Sequence, residues 1–330
     1  MKLMLALVAL FSILSLPARG ADGLAGEDKG FVITPKYFEP SAGSTGGGMG
    51  FSYKIRKNIT TTDLAKDAYR VGDLDFKAEG NVAFNRNINP SDFLKTGLEL
   101  NYVSQNSSAV THGRGGPGSK CDPTNPDTVQ ACEEEARRSR AGDALALIAG
   151  LVTSLESDQK FEKRNETFGA HLTTLYRPAP ASFANQANPL DWPFRLLRGL
   201  SGHPMGFSPS ADAFPKVRLA LERVKPSKDK DRAAILGETP DYNRANVELD
   251  MTSPVGVLQG RQVKFEWSWR YFKELGPPDA IQAAGLDQYR YSAAALSLDS
   301  GWKLTYATGT LPLGREGDAV WELGYKIKLD

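Results

Sequence analysis

Few residues in this chain of 330 have the types and spacing that acid–base or nucleophilic chemistry needs. Asp73 and Asp75 stand two apart; paired carboxylates shift each other's proton affinity and can divide acid and base roles. A structural salt bridge is the competing and heavier reading for Asp75. The three histidines are His112, His171 and His203, and Val110, Gly169 and Ser201 stand two positions before them, so none completes an Asp-x-His dyad. His171 shares a side of an extended chain with Thr173, a nucleophile for which no activating partner can be named. Gly113 to Lys120 reads G-R-G-G-P-G-S-K, with serine and lysine in the wrong order for a phosphate loop and no strand-to-helix context. Two cysteines and three histidines are too few for a zinc cluster, and no cofactor is expected. Forty basic against thirty-nine acidic residues argue against a nucleic-acid binder built on a positive field.

The elements that must position these groups begin with an address. Residues 1–20 read as a secretory signal: Lys2 at the start, an apolar run from Leu3 to Leu16, a break at Pro17, then small Ala18 and Gly20 before a cut ahead of Ala21. The run is short of the roughly 20 residues that a spanning helix needs. Beyond it the chain repeats one pattern, long segments alternating apolar and polar with period two. Leu74, Phe76, Ala78, Gly80, Val82 and Phe84 share a face opposite Asp75, Lys77, Glu79, Asn81, Ala83 and Asn85. The pattern recurs over 94–102, 263–271 and 319–329, and more weakly near 49–57, 164–178, 213–225, 243–254, 287–298 and 302–312. Successive strand side chains point to opposite faces, so these are two-sided strands. Several exceed the five or six residues common in a soluble sandwich and reach the 9–11 of a tilted membrane strand. Rings gather toward strand ends at Phe93, Tyr102, Tyr176, Tyr271, Phe272, Tyr289, Tyr291, Trp302 and Trp321, as in the two aromatic girdles of a barrel.

In this pattern the mature chain resembles the Gram-negative outer-membrane β-barrel proteins as a class. The resemblance implies an all-β, antiparallel up-and-down transmembrane barrel in the outer membrane, with the lipid bilayer and the outer-membrane assembly machinery as partners. The chain departs from the class by ending Lys328-Leu329-Asp330 rather than in an aromatic residue. Outer-membrane proteases of the omptin type use aspartate pairs with an Asp-x-His dyad, which is missing here, and the serine two residues after histidine of the outer-membrane phospholipases is replaced by Thr173.

Counting back from the end, with both termini periplasmic and long loops outside, gives ten strands from about residue 49. Residues 21–48 form an N-terminal segment in which Phe31 to Phe38 is a candidate extra strand; a second one hidden in 179–212 would make twelve. The barrel then covers 49–330. In this count Asn87 to Ser91 is a tight periplasmic turn and 105–163 the longest external loop, holding Cys121 and Cys132, which an oxidising periplasm would join. Within it, Glu133 to Ser157 reads as a helix with Leu145, Ile148, Val152 and Leu155 on one face, a lid for the barrel mouth. Pro193 to Arg198 is a short amphipathic stretch suited to the inner leaflet surface.

Parity turns a mixed set of charges toward the lumen: Asp75, Lys77, Glu79, Lys95, Glu99, Lys216, Arg218, Glu222, Glu248, Asp250, Lys264, Glu266 and Arg270, with Arg290, Lys303, Glu322, Lys326 and Lys328 beside them. Mixed signs suit ion pairs across a barrel and forecast no strong ion preference. The expected function is a non-enzymatic surface or structural barrel, or a small porin-like channel passing a small solute. The alternatives are an outer-membrane hydrolase using Asp and His groups and a soluble periplasmic β-sandwich binding protein.

Overall fold

The computed structural model describes residues 30–41, 46–65, 69–85, 89, 92–105, 143–314 and 319–329. The signal segment, His112, the 113–120 glycine run, both cysteines and residues 133–142 lie outside the described residues. Alternation of side chains gives the strands their two faces, and the strands follow one another as an antiparallel meander. They are β1 (Gly30–Pro40), β2 (Gly48–Ala65), β3 (Tyr69–Ala83), β4 (Leu94–Gln105), β5 (Ala144–Ser157), β6 (Arg164–Arg177), β7 (Lys216–Lys228), β8 (Tyr242–Leu258), β9 (Arg261–Leu275), β10 (Gln288–Leu298), β11 (Trp302–Gly309), β12 (Val320–Tyr325) and β13 (Ile327–Leu329). β12 and β13 are two pieces of one stave, broken at Lys326, and both pair with β1: Phe38 with Glu322, Phe31 with Leu329. The sheet therefore closes on itself as a twelve-stave barrel with no free edge, which a two-sheet sandwich does not do.

The count of ten misses β1 and β5. The first is the extra strand suspected at Phe31 to Phe38. The second is not in 179–212 but at Ala144–Ser157, where a helix was expected. The reason is chemical. One face of β5 carries Leu145, Leu147, Ala149, Leu151, Thr153 and Leu155, while the other carries Ala144, Ala146, Ile148, Gly150, Val152, Ser154 and Glu156. From Ala144 to Ser154 its concave side carries no charge, so apolar residues recur at helical as well as strand spacing. Pairing on both sides, Leu98 with Thr153 and Leu151 with Ala170, settles the period as two.

One added strand reverses the direction of everything before it. The expected 105–163 loop is divided: β4 ends at Gln105 and β5 begins at Ala144 at the end of the barrel where β1 begins and β13 ends, and 158–163 lies at the other end. β3 likewise ends at Ala83 and β4 begins at Leu94 at the far end, opposite to the directions that the expected periplasmic turn at Asn87 to Ser91 required. In place of a strand, 178–215 holds α1 (Phe183–Gln186), α2 (Trp192–Leu200) and a 3-10 turn (Ala211–Ala213). The far-end loops carry α3 (Lys230–Leu236) and α4 (Asp279–Ala283). No described helix is long and apolar enough to cross a membrane.

The convex face is apolar and uncovered. Leu100, Leu151, Leu172, Leu219, Leu221, Leu304 and Leu323 all stand with more than two-fifths of their surface exposed. Such a face belongs against hydrocarbon, and a closed sheet is the only strand structure that satisfies its backbone there. Trp302 meets Tyr325 edge-on at 5.2 Å and Tyr306 meets Trp321 at 4.9 Å, on the convex face beside the seam. Four of the rings expected in the girdles are not there. Phe93 and Phe272 form a buried cluster with Leu311, against which Tyr289 and Tyr291 pack, because parity turns Phe272, Tyr289 and Tyr291 toward the axis. Arg290, expected inside, pairs with Tyr271 and sets its guanidinium 5.4 Å from that convex-face ring.

Candidate functional site: the concave face of the barrel

Side chains on strands that are not neighbours in the sheet can meet only across the concave face, and the longest contacts of this kind join charges. Glu99 of β4 accepts from Lys77 of β3 at 2.6 Å and, across two intervening strands, from Arg218 of β7 at 2.9 Å. Arg244 of β8 donates to Glu156 of β5 at 3.0 and 2.8 Å and to Glu222 of β7 at 2.6 Å. Lys95 stands 3.5 Å from Glu156 and 3.9 Å from Glu222, so two carboxylates share two cations. Arg244, Glu156 and Glu222 are all buried, which the shared charges and bidentate geometry make tolerable.

One contact spans the full width. β3 and β9 are six staves apart in a ring of twelve, hence opposite, yet Arg270 reaches Glu79 at 3.4 Å. The pair forms a bar across the interior. To one side lie the buried groups just described. On the other side Glu266 accepts from Lys303 and from Ser297 at 2.6 Å each, and Lys36 donates to Glu322 at 2.6 Å. There the Lys303 and Glu266 side chains are 37% and 36% exposed, and Glu79 in the bar is 37% exposed. Charged atoms reachable from solvent inside a closed wall mean a wet interior on that side.

Other charges that parity singled out have these neighbours. Lys216 lies 3.4 Å from Asp250. Glu248 accepts from Asn246 at 2.8 Å. Lys264 stands exposed in register with Ser297. Arg244, Glu156 and Arg56 were missed. Arg244 follows from the same parity that gave Glu248, four residues on; Glu156 was hidden by the helical reading of its segment.

The chemistry weighed for Asp75 and His171 is not assembled. Asp75 is held by Arg56 at 2.7 Å and by Asn58 at 3.0 Å, a structural pairing. His171 comes no nearer to a carboxylate than 3.9 Å, at Glu99, whose oxygens already serve Lys77 and Arg218. Neither of its ring nitrogens is hydrogen-bonded, so nothing links it to Thr173. His203 accepts from the Met205 amide at 3.1 Å, a local turn contact. Among the described residues no cluster of His, Cys, Asp and Glu could hold a metal.

At the mouth away from the termini the 158–163 turn folds inward. Gln159 exchanges hydrogen bonds with Ala83 at 3.2 and 3.0 Å and its amide donates to Asp92 at 2.7 Å. A hollow of about 590 Å³ opens there between Lys163, Asp231, Gln288, Tyr289 and Leu313.

No protein-family model matches the chain, and no curated protein matches it. Among solved structures it is similar to the NanC porin, at 9% identity and a TM-score of 0.37 over 91% of this chain and 100% of that one. It is similar also to the KdgM porin in complex with disordered oligogalacturonate, at 7% identity and a TM-score of 0.31 over 91% of this chain and 99% of that one. The translocator domain of the autotransporter NalP from Neisseria meningitidis aligns at 10% identity and a TM-score of 0.26, over 93% of this chain and 91% of that one.

Proposed function

We propose that this barrel is a non-enzymatic outer-membrane channel with a charged lumen, admitting small hydrophilic solutes past the bar formed by Arg270 and Glu79. The bar carries the reading: two oppositely charged side chains from opposite staves meet at 3.4 Å and stay partly wet. A purely structural bridge would gain by excluding water, as Arg244 does with Glu156 and Glu222. The path runs along the Glu266 and Lys303 side, and mixed signs leave it without a strong preference between cations and anions. An export signal over 1–20, a Cys121–Cys132 disulfide and delivery by the outer-membrane assembly machinery belong to the same reading. With both termini periplasmic, 178–215 lies on that side and the Gln159 mouth faces outward.

Single-channel recording in planar bilayers tests the proposal. Wild type is expected to give small discrete steps, and Arg270→Ala to raise the step size about twofold by opening the narrowest point. Silence from both proteins at several voltages would instead mark a closed, structural barrel.

A further inference from the structure

The 178–215 connection does not hang free at its end of the barrel; it wraps the convex face. Phe214 meets Tyr176 edge-on at 5.2 Å, and Phe194 of α2 stacks at 5.0 Å on Phe265, whose neighbour in sequence, Glu266, points to the axis. Helix α2 is inside-out for a helix facing water. Its polar side is turned to the protein: Arg198, fully buried, donates to Asp191 at 3.0 and 2.9 Å, to the Pro254 carbonyl at 2.8 Å and to the Ser208 carbonyl at 2.8 Å. Asp191 is closed by Ser253 and the Ser210 amide. Gly256 makes the approach feasible, since a Cβ there would run into Ser201. The opposite side, Trp192, Leu196 and Leu200 at four-residue spacing, is exposed, and Phe183 and Phe207 flank it at 85% and 65% exposure.

The level of the helix says what covers that side. Phe265 is in register with Leu296, and Leu296 with Leu304, both exposed on the convex face; one step further toward the same end lies Trp302 against Tyr325. The helix thus sits at the depth of an aromatic girdle, where hydrocarbon gives way to headgroups. We infer that the 178–215 collar is embedded in lipid at one interface of the bilayer, with the Trp192, Leu196 and Leu200 side among acyl chains and the Arg198–Asp191 pair shielded against the wall.

This inference rests on the barrel spanning a membrane, and the test separates the two. Nitroxides are placed by L200C and, as a mid-wall control, by L172C in a C121S/C132S background, with the protein in phosphatidylcholine–phosphatidylglycerol vesicles. Collision with oxygen reports lipid and collision with a water-soluble nickel chelate reports water. Position 200 is expected to match position 172, oxygen-rich and nickel-poor, within about twofold. Position 200 nickel-accessible while 172 is not would overturn the inference alone; both nickel-accessible would overturn the membrane reading as well. Shielding from both reagents with spin–spin broadening would put a second copy, not lipid, on the helix and also overturn it. Should the cysteine-free background fail to fold, quenching of wild-type fluorescence by acyl-brominated lipid, lost in part in W192F, reads the same placement; equal quenching in both would overturn it.

Discussion

The two sides of the Arg270–Glu79 bar use the same chemistry to opposite ends. Toward β4–β8, Arg244, Glu156 and Glu222 are at most 3% exposed and behave as the core of the barrel. Toward β10, β11 and β12, Glu266 and Lys303 keep over a third of their surface in contact with water. The difference follows from what surrounds each group. Gly169 and Ala220 stand on the concave face beside the interlocked groups of the first side, whereas Glu266 of β9 gathers Ser297 of β10 and Lys303 of β11 along one arc of the wall. The same residue types are thus closed over where Arg244 joins Glu156 and Glu222, and stay exposed where Lys303 meets Glu266.

The largest effect expected from breaking this contrast is at Arg244. Arg244→Met strands Glu156 and Glu222 without their shared cation and should cost about 3–5 kcal/mol, read as a lower urea midpoint for the barrel in vesicles. A shift under about 1 kcal/mol would mean that water already reaches those carboxylates. Replacing all four groups, in K95M/R244M/E156L/E222L, should recover most of that loss, since a packed apolar cluster replaces a buried ionic one. On the wet side, Glu266→Gln should change stability by less than about 1 kcal/mol. It should nevertheless move the reversal potential in a salt gradient toward anion selectivity, while Lys303→Met moves it the other way; no movement in either would take the path off this wall. The smallest effect concerns Asp143, exposed at the start of β5. The Tyr176 hydroxyl and then the Ala179 amide hold its carboxyl below the ordinary aspartate range. A depressed folded value means the contact is complete above the unfolded pKa and is lost as pH falls through the lower, folded one. Hydrogen exchange at the Ala179 amide should therefore stay slow down to pH values below the usual aspartate midpoint, and Asp143→Asn should remove the pH dependence.

Much of this architecture was legible in the residues. Strands such as β3 and β9 announce themselves because one face is apolar and the other ionic, and the same parity turned Glu79, Glu99, Arg218 and Arg270 toward one another. Legibility fails where the two faces differ in size rather than polarity. In β5 the concave row Ala146, Ile148, Gly150 and Val152 gives no charge to count, so only the partners on either side fix its period. It fails again for rings gathered by their nearness to strand ends without regard to face. Phe272 and Tyr289 are turned to the concave side, where Phe272 is buried with Phe93 and Leu311 and Tyr289 packs against them, partly buried. The contacts that cross the interior, Arg270 with Glu79 and Arg244 with Glu156, join residues 191 and 88 positions apart. Strand pattern alone cannot supply the closure that brings them together.

The seam has a consequence for how the molecule comes into being. Phe31 meets Leu329, so the ring exists only once nearly the whole chain has been made and its final stave has been laid against its first. Until then the growing sheet carries two open rims of unsatisfied amides and carbonyls, and the entropic cost of joining them is that of the longest loop in the molecule. Deleting 320–329 should leave no partly working barrel of eleven staves but an unclosed sheet prone to pair with other chains, so closure is governed by the one stave that pairs with β1.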